Sequence, residues 1–179
     1  MNHELRSPKH QVGRASRGFS LIELLIVVAI ILIIAAIAIP NLLRARIAAN
    51  EASAVNSVRK IATAEVAYNS AYPTVGYSPD LISLGGAAPC SPSSTSACIL
   101  DSVISAGSKS GYQIFAAGFA ANGGPNTSFV ASSAPLTYNV TGVRDFCIVT
   151  DGVLRLNPGA AGNVPAPDVN TCMGYPTAQ

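Results

Sequence analysis

From Leu24 to Ile39 the chain carries no polar residue, a run of 16. Counted from Phe19, and accepting Ser20 and Glu23, the apolar block is 21 residues long. A helix of about 20 apolar residues crosses a bilayer core of about 30 Å. The many β-branched residues do not oppose a helix there, because lipid leaves the backbone no other way to satisfy its hydrogen bonds. Beyond Pro40 the pattern changes. Over Asn41–Tyr72, Ile47, Val55, Val58, Ile61, Ala62, Tyr68 and Tyr72 recur at steps of 3 and 4 residues. That spacing is the signature of one buried helix face. Arg44, Arg46, Glu51, Asn56, Arg59 and Lys60 mostly take the other positions. The pattern predicts a single helix from about Phe19 to about Tyr72, apolar all round in its first half and amphipathic in its second. Pro40 lacks an N–H and clashes with the carbonyl four residues earlier, so a kink is expected there.

Tyr72-Pro73 ends the helical pattern, and the Gly/Pro/Ser-rich stretch to Ser96 follows. Ser78–Gly86 and Ile99–Ala106 are expected to hold short turns of helix. Strand patterns begin after Gly111. Tyr112–Phe119, Thr127–Ser132, Asp145–Thr150 and Val153–Leu156 are rich in aromatic or β-branched residues and bounded by turn residues. Asn122-Gly123-Gly124 punctuates the first pair, and Asp151-Gly152 reads as a two-residue hairpin turn between the last pair. Asn157–Gln179 is a Gly/Pro/Asn-rich tail, with Cys172 available to pin it. Three or four short strands cannot bury a face alone, so the stripe from Ile47 to Tyr72 is expected to cover the sheet. The fold class is therefore α+β: a long N-terminal helix packed on a small antiparallel head. The divisions are a leader over 1–18, a membrane-spanning segment over 19–39, the amphipathic continuation over 40–72 and a head over 73–179.

Charge sharpens the topology. The formal net charge is +2, but the leader holds Arg6, Lys9, Arg14 and Arg17 against Glu4 alone. The remainder has seven Lys/Arg against eight Asp/Glu. Basic flanks stay in the cytoplasm, so the N-terminus is expected inside and the head outside. The charge is a topology signal, and no nucleic-acid partner is predicted. Cys90, Cys98, Cys147 and Cys172 all fall in the outer part, where thiols tend to be oxidised. Four cysteines allow three pairings. Cys90–Cys98 and Cys147–Cys172 are preferred because each closes a local loop. No C-x-x-C spacing points to zinc or a redox dithiol. Both histidines, His3 and His10, are in the leader. A chain beginning at Phe19 has no Ser-His-Asp or Cys-His chemistry.

The junction Arg17-Gly18-Phe19 and the following Ser20-Leu21-Ile22-Glu23 carry a resemblance. GFSLIE before an unbroken apolar run is similar to the signal segment of type IV prepilins and pseudopilins. The resemblance implies cleavage between Gly18 and Phe19 by a prepilin peptidase, with N-methylation of Phe19. It also implies that Glu23 pairs with the Phe19 ammonium of a neighbouring subunit, and that Pro40 is the family's helix-kinking proline. GYQIFAAG and RDFCIVTDGVLRLNP resemble pilin heads more loosely. The implied function is a structural subunit that waits in the bacterial inner membrane and polymerises into an extracellular type IV pilus. Implied partners are identical subunits, the peptidase, the inner-membrane assembly machinery and, before assembly, membrane lipid.

Several readings compete. A secretion-system pseudopilin would carry the same segment. A conventional secretory signal is suggested by Ala36-Ile37-Ala38, an A-x-A site, but Glu23 and the long apolar block oppose it. A membrane-anchored or secreted binding domain that never polymerises is the third. No enzymatic activity and no cofactor are expected. Some pseudopilins bind calcium, and Asp151 and Asp168 are the positions considered for it. Asn126-Thr127-Ser128 and Asn139-Val140-Thr141 match N-x-[ST] and carry little information in a bacterial chain.

Overall fold

The computed structural model describes residues 18–121 and 123–178. The leader before Gly18, with His3 and His10, lies outside the described residues, as does Asn122. The chain divides into two compact units, one ending at Pro40 and one starting at Asn41. Helix α1, Leu21–Ala71, is 51 residues long and continues through Pro40.

In the first unit the apolar side chains of α1 point to the outside. Leu21 is 80% exposed and Ile37 is 66% exposed. This segment is long and apolar enough to cross a membrane.

The second unit is built on an antiparallel sheet of five strands in the order β1-β2-β3-β4-β5. They are β1 Ser108–Lys109, β2 Tyr112–Ala120, β3 Asn126–Pro135, β4 Asp145–Val149 and β5 Arg155–Asn157. Three short helices accompany them: α2 Leu81–Leu84, α3 Ser102–Ser105 and α4 Val169–Met173. Asp80, Asp101 and Asp168 cap these helices by accepting backbone N–H bonds.

The two periodicities meet in the core. Ala54, Val58, Ile61, Ala64 and Tyr68 of α1 pack against Ile114, Ala116, Phe129, Ala131, Phe146 and Ile148 of the sheet. Steps of 3 and 4 on the helix and of 2 on the strands put these side chains on facing surfaces. The opposite face of the sheet is buried too. Val130, Cys147 and Val149 lie there under Ala166 and Cys172 of the tail, with Phe115 and Phe119 at the edge. The Ser132 hydroxyl donates to the Ala166 carbonyl across this layer.

The Gly/Pro/Asn-rich tail is pinned through Cys172; it also contains α4, and Leu154 and Leu156 exchange backbone bonds with Ala178 and Pro176 along β5. Three expectations need correcting. Asp151-Gly152 does not make a two-residue hairpin, and β5 starts at Arg155 rather than Val153. The Asp151 carboxylate accepts from the Val153 N–H and pairs with Arg155, which holds the intervening residues in a wider loop. Glu51 is not on the solvated face of the helix but buried, at 6% exposure. Its charge is taken up by a loop that the helical pattern does not contain. Finally, the two-residue β1 has no counterpart in the strand pattern, because its bonds come from β2 rather than from its own apolar content.

Candidate functional site

The segment that carries the sequence motif starts outside the helix. Gly18, Phe19 and Ser20 are exposed and non-helical, Phe19 at 78%. The Leu24 N–H donates to the Ser20 carbonyl, which makes Ser20 the capping residue of α1. Glu23 reaches back, and its carboxylate accepts the Ser20 N–H at 3.2 Å. Ser20-Leu21-Ile22-Glu23 is thus the serine–glutamate half of a capping box. The arrangement places a carboxylate at the positive end of the helix dipole. The cap also fixes where helix begins, so the Gly18–Phe19 peptide bond lies in exposed, non-helical chain. The capping pair was legible as S-x-x-E, although the resemblance drew attention to Glu23 alone.

In the head, the preferred cysteine pairings are the ones formed. Cys90 is bonded to Cys98 across 8 residues, and Cys147 to Cys172 across 25. The second bond is fully buried and fixes the tail to β4. The first closes the exposed Ser91–Ser96 loop.

Three carboxyl groups tie the head together. Glu51 accepts from the backbone N–H groups of Val143 and Arg144, both at 3.1 Å, and from the Arg144 guanidinium at 3.0 and 2.5 Å. Burial pushes its pKa up, but the Arg144 guanidinium and the two N–H groups outweigh this and hold it below the usual range. Glu65 is fully buried and accepts the Ser78 N–H at 2.8 Å, while its Oε1 has no partner. Burial, with some help from Asp80, pushes its pKa up to about 8. Asp145 accepts from the side-chain amides of Asn157 and Asn163, which hold the start of the tail. Its Oδ1 is buried without a partner, and burial raises its pKa.

Asp151 and Asp168, considered for calcium, are each engaged locally. Asp151 binds Arg155, and Asp168 caps α4 through Thr171. Among the described residues no group of three or more His, Cys, Asp or Glu side chains converges.

A family profile described as the prokaryotic N-terminal methylation motif matches residues 13–39. The chain is 66% identical over 38 residues to the type IV wide pilus major component PilA4 of Thermus thermophilus. That match covers 21% of this chain and 29% of the relative. No solved structure matches the chain significantly. The chain therefore carries a prokaryotic N-terminal methylation motif over residues 13–39 and is similar to a type IV pilin.

Proposed function

We propose that this protein is a prepilin, a structural subunit rather than an enzyme. It inserts in the inner membrane, is cut between Gly18 and Phe19 and is methylated on Phe19. It then polymerises through α1 into an extracellular type IV pilus. The observation that carries this reading is the methylation motif over residues 13–39, whose apolar helical part is exposed almost throughout. Lipid satisfies that surface before assembly, and identical helices satisfy it afterwards.

In this reading Glu23 has two successive partners. Before cleavage its carboxylate accepts the Ser20 N–H. Cleavage creates an ammonium at Phe19. In a low-dielectric filament core, that ammonium and the Glu23 carboxylate of a neighbour each need a counter-charge, and a mispaired register leaves both unpaired. Glu23 thus sets register, while burial of Leu24–Ile39 supplies the stabilisation. Pro40 relaxes the helix where these two environments meet. Similarity to the Thermus protein, a component of a type IV wide pilus, favours a pilus over a secretion pseudopilus.

The test is the intact mass and N-terminal sequence of the chain from its native cell. A start at Phe19, one methyl group heavier, supports the proposal. A start at Ile39 would mean conventional secretion and sink it. In parallel, Glu23→Ala should insert in the membrane yet fail to form filaments. Normal filaments from that variant would refute the register role.

A further inference from the structure

One buried carboxyl of the head has no counter-charge and a thin cover. Glu65 lies on α1 among Ile61, Ala64 and Tyr68, which are all buried in the core. One of its oxygens accepts the Ser78 N–H at 2.8 Å, and the other, Oε1, is buried without a partner. A buried carboxylate needs a cation or several N–H donors, as Glu51 has. Glu65 has a single donor, so the closed head suits it only as the neutral acid. The charged and titratable groups nearby bring no relief. Asp80, at the N-cap of α2, repels its anion. Tyr68 and Tyr72 share its helix, and Tyr77 lies on the segment that covers it. Arg59, Lys60 and Asp101 are exposed, and neither of the two ion pairs among the described residues includes Glu65. β2 and β3 face the helix with Ile114, Ala116, Phe129 and Ala131.

The cover is the segment from Tyr72 to Asp80. It belongs to no helix or strand, Pro73 and Pro79 lie near its ends, and Gly76 and Ser78 are its buried residues. Ser78 is held by Glu65. The rest is held by Asn126 at the start of β3. The Asn126 N–H donates to the Val75 carbonyl at 2.8 Å, the Tyr77 N–H to the Asn126 carbonyl at 3.0 Å, and the Asn126 side-chain amide to the Tyr77 carbonyl at 2.9 Å. The Tyr77 ring packs on Phe129 with centroids 4.9 Å apart. Gly76 has φ 84°, and a side chain there would run into the Asn126 backbone. Helix α1 cannot turn Glu65 to water without pulling Ile61 and Tyr68 out of the core. The segment can lift, because water replaces the bonds it gives up.

We infer that Glu65 is a proton-operated latch: while its carboxyl is neutral the Tyr72–Asp80 segment is closed on α1, and when the proton leaves, the segment lifts and Glu65 reaches water. The bonds to Asn126 and the Tyr77–Phe129 contact close the segment again on protonation. Burial, with some help from Asp80, moves the titration of the closed state up to about 8. In the open segment the carboxyl ionises in the ordinary range. Opening therefore gains about tenfold per pH unit between that range and the closed-state value, and levels off above it.

Amide exchange of the full chain in detergent micelles, followed by NMR and corrected for the pH dependence of the exchange chemistry, tests the latch. The Ser78 and Tyr77 amides should exchange faster than those of β3 and β4. They should lose protection about tenfold per pH unit from about pH 6 to 8. They should also ignore low urea concentrations, since a local opening exposes little surface. In Glu65→Gln their protection should no longer depend on pH. In Asn126→Ala it should be lower at each pH with the slope intact, which separates the bonds that close the segment from the carboxyl that opens it. Ser78 exchange that matches β3 and β4 and rises with urea would overturn the inference, because the segment would then open only with the whole head. So would an unchanged slope in Glu65→Gln. If that variant does not fold, the parent decides alone: Ser78 protection that is flat from about pH 6 to 8 overturns the latch.

Discussion

Glu51 and Glu65 lie four turns apart on the same helix and are both buried, yet the fold treats them oppositely. Glu51 is met by a guanidinium and two N–H groups, so it is stabilised as the anion. Its folded pKa is lowered, so its contribution is present above the ordinary carboxylate range and lost as pH falls through the folded value. Glu65 meets one N–H and no cation among the described residues, so it is stabilised as the neutral acid. Its folded pKa of about 8 lies above the unfolded one. The contribution is therefore complete below the ordinary carboxylate range and falls as pH rises, until it is gone above the folded value. In that window the unfolded state loses a proton that the folded state keeps, a penalty of about tenfold in the folding equilibrium per pH unit. Glu65→Gln keeps an acceptor for the Ser78 N–H and removes the titration. Thermal melts of the variant and the parent should nearly coincide at acid pH and separate toward alkaline pH, with the variant more stable. Parallel pH profiles would show that Glu65 is ionised in the folded head.

At the scale of elements, the sheet is a layer between two covers of different origin. The helix covers one face with a periodic stripe, and the tail covers the other with a few residues and a disulfide. The two disulfides should differ in weight. In the chain-entropy account a loop of 25 residues is worth about 1 kcal/mol more than one of 8. Cys147–Cys172 is also buried, whereas Cys90 is exposed. Replacing Cys147 and Cys172 by alanine should cost about 2–5 kcal/mol in urea unfolding and open the tail to protease. Replacing Cys90 and Cys98 should cost less and leave the tail protected. Equal losses would mean that packing of Ala166 and Tyr175, not the bond, holds the tail. The second cover had a signal in the sequence. Asp145-Phe146-Cys147-Ile148-Val149 is nearly unbroken in apolar character, and all five residues are buried. An uninterrupted apolar strand means two buried faces, whereas alternation means one. What the pattern does not say is which segment does the covering.

For the whole molecule, orientation and redox state are linked. The leader's Arg6, Lys9, Arg14 and Arg17 are the charge that would keep the N-terminus in the cytoplasm. The head would then mature where disulfides form. Changing all four to glutamine should leave a fraction of chains with the head inside. In that fraction all four cysteines stay reduced and react with a maleimide reagent without prior reduction. If the variant's cysteines remain fully oxidised, Arg44 and Arg46 do not compete for orientation, and the span is oriented by something other than leader charge.

The sequence by itself determined what depends on neighbours along the chain. A segment long and apolar enough to span a membrane, an amphipathic helix, the core of three strands and the Ser20–Glu23 cap all follow from periods of 3.6 or 2, from an unbroken apolar run and from residues three apart. Those signals are local, so they survive without a fold. Tertiary structure decided what depends on partners far away in sequence. Glu51 reads as a solvated helix charge until Val143 and Arg144, 92 and 93 residues later, arrive to receive it. The tail reads as a Gly/Pro/Asn-rich stretch held by Cys172 until α4 forms and Ala166 settles on the far face of the sheet. Asp151-Gly152 reads as a tight hairpin until Arg155 draws the aspartate into a wider turn. A buried charge or an uncovered face needs a counterpart, and periodicity states that need without naming the residue that meets it.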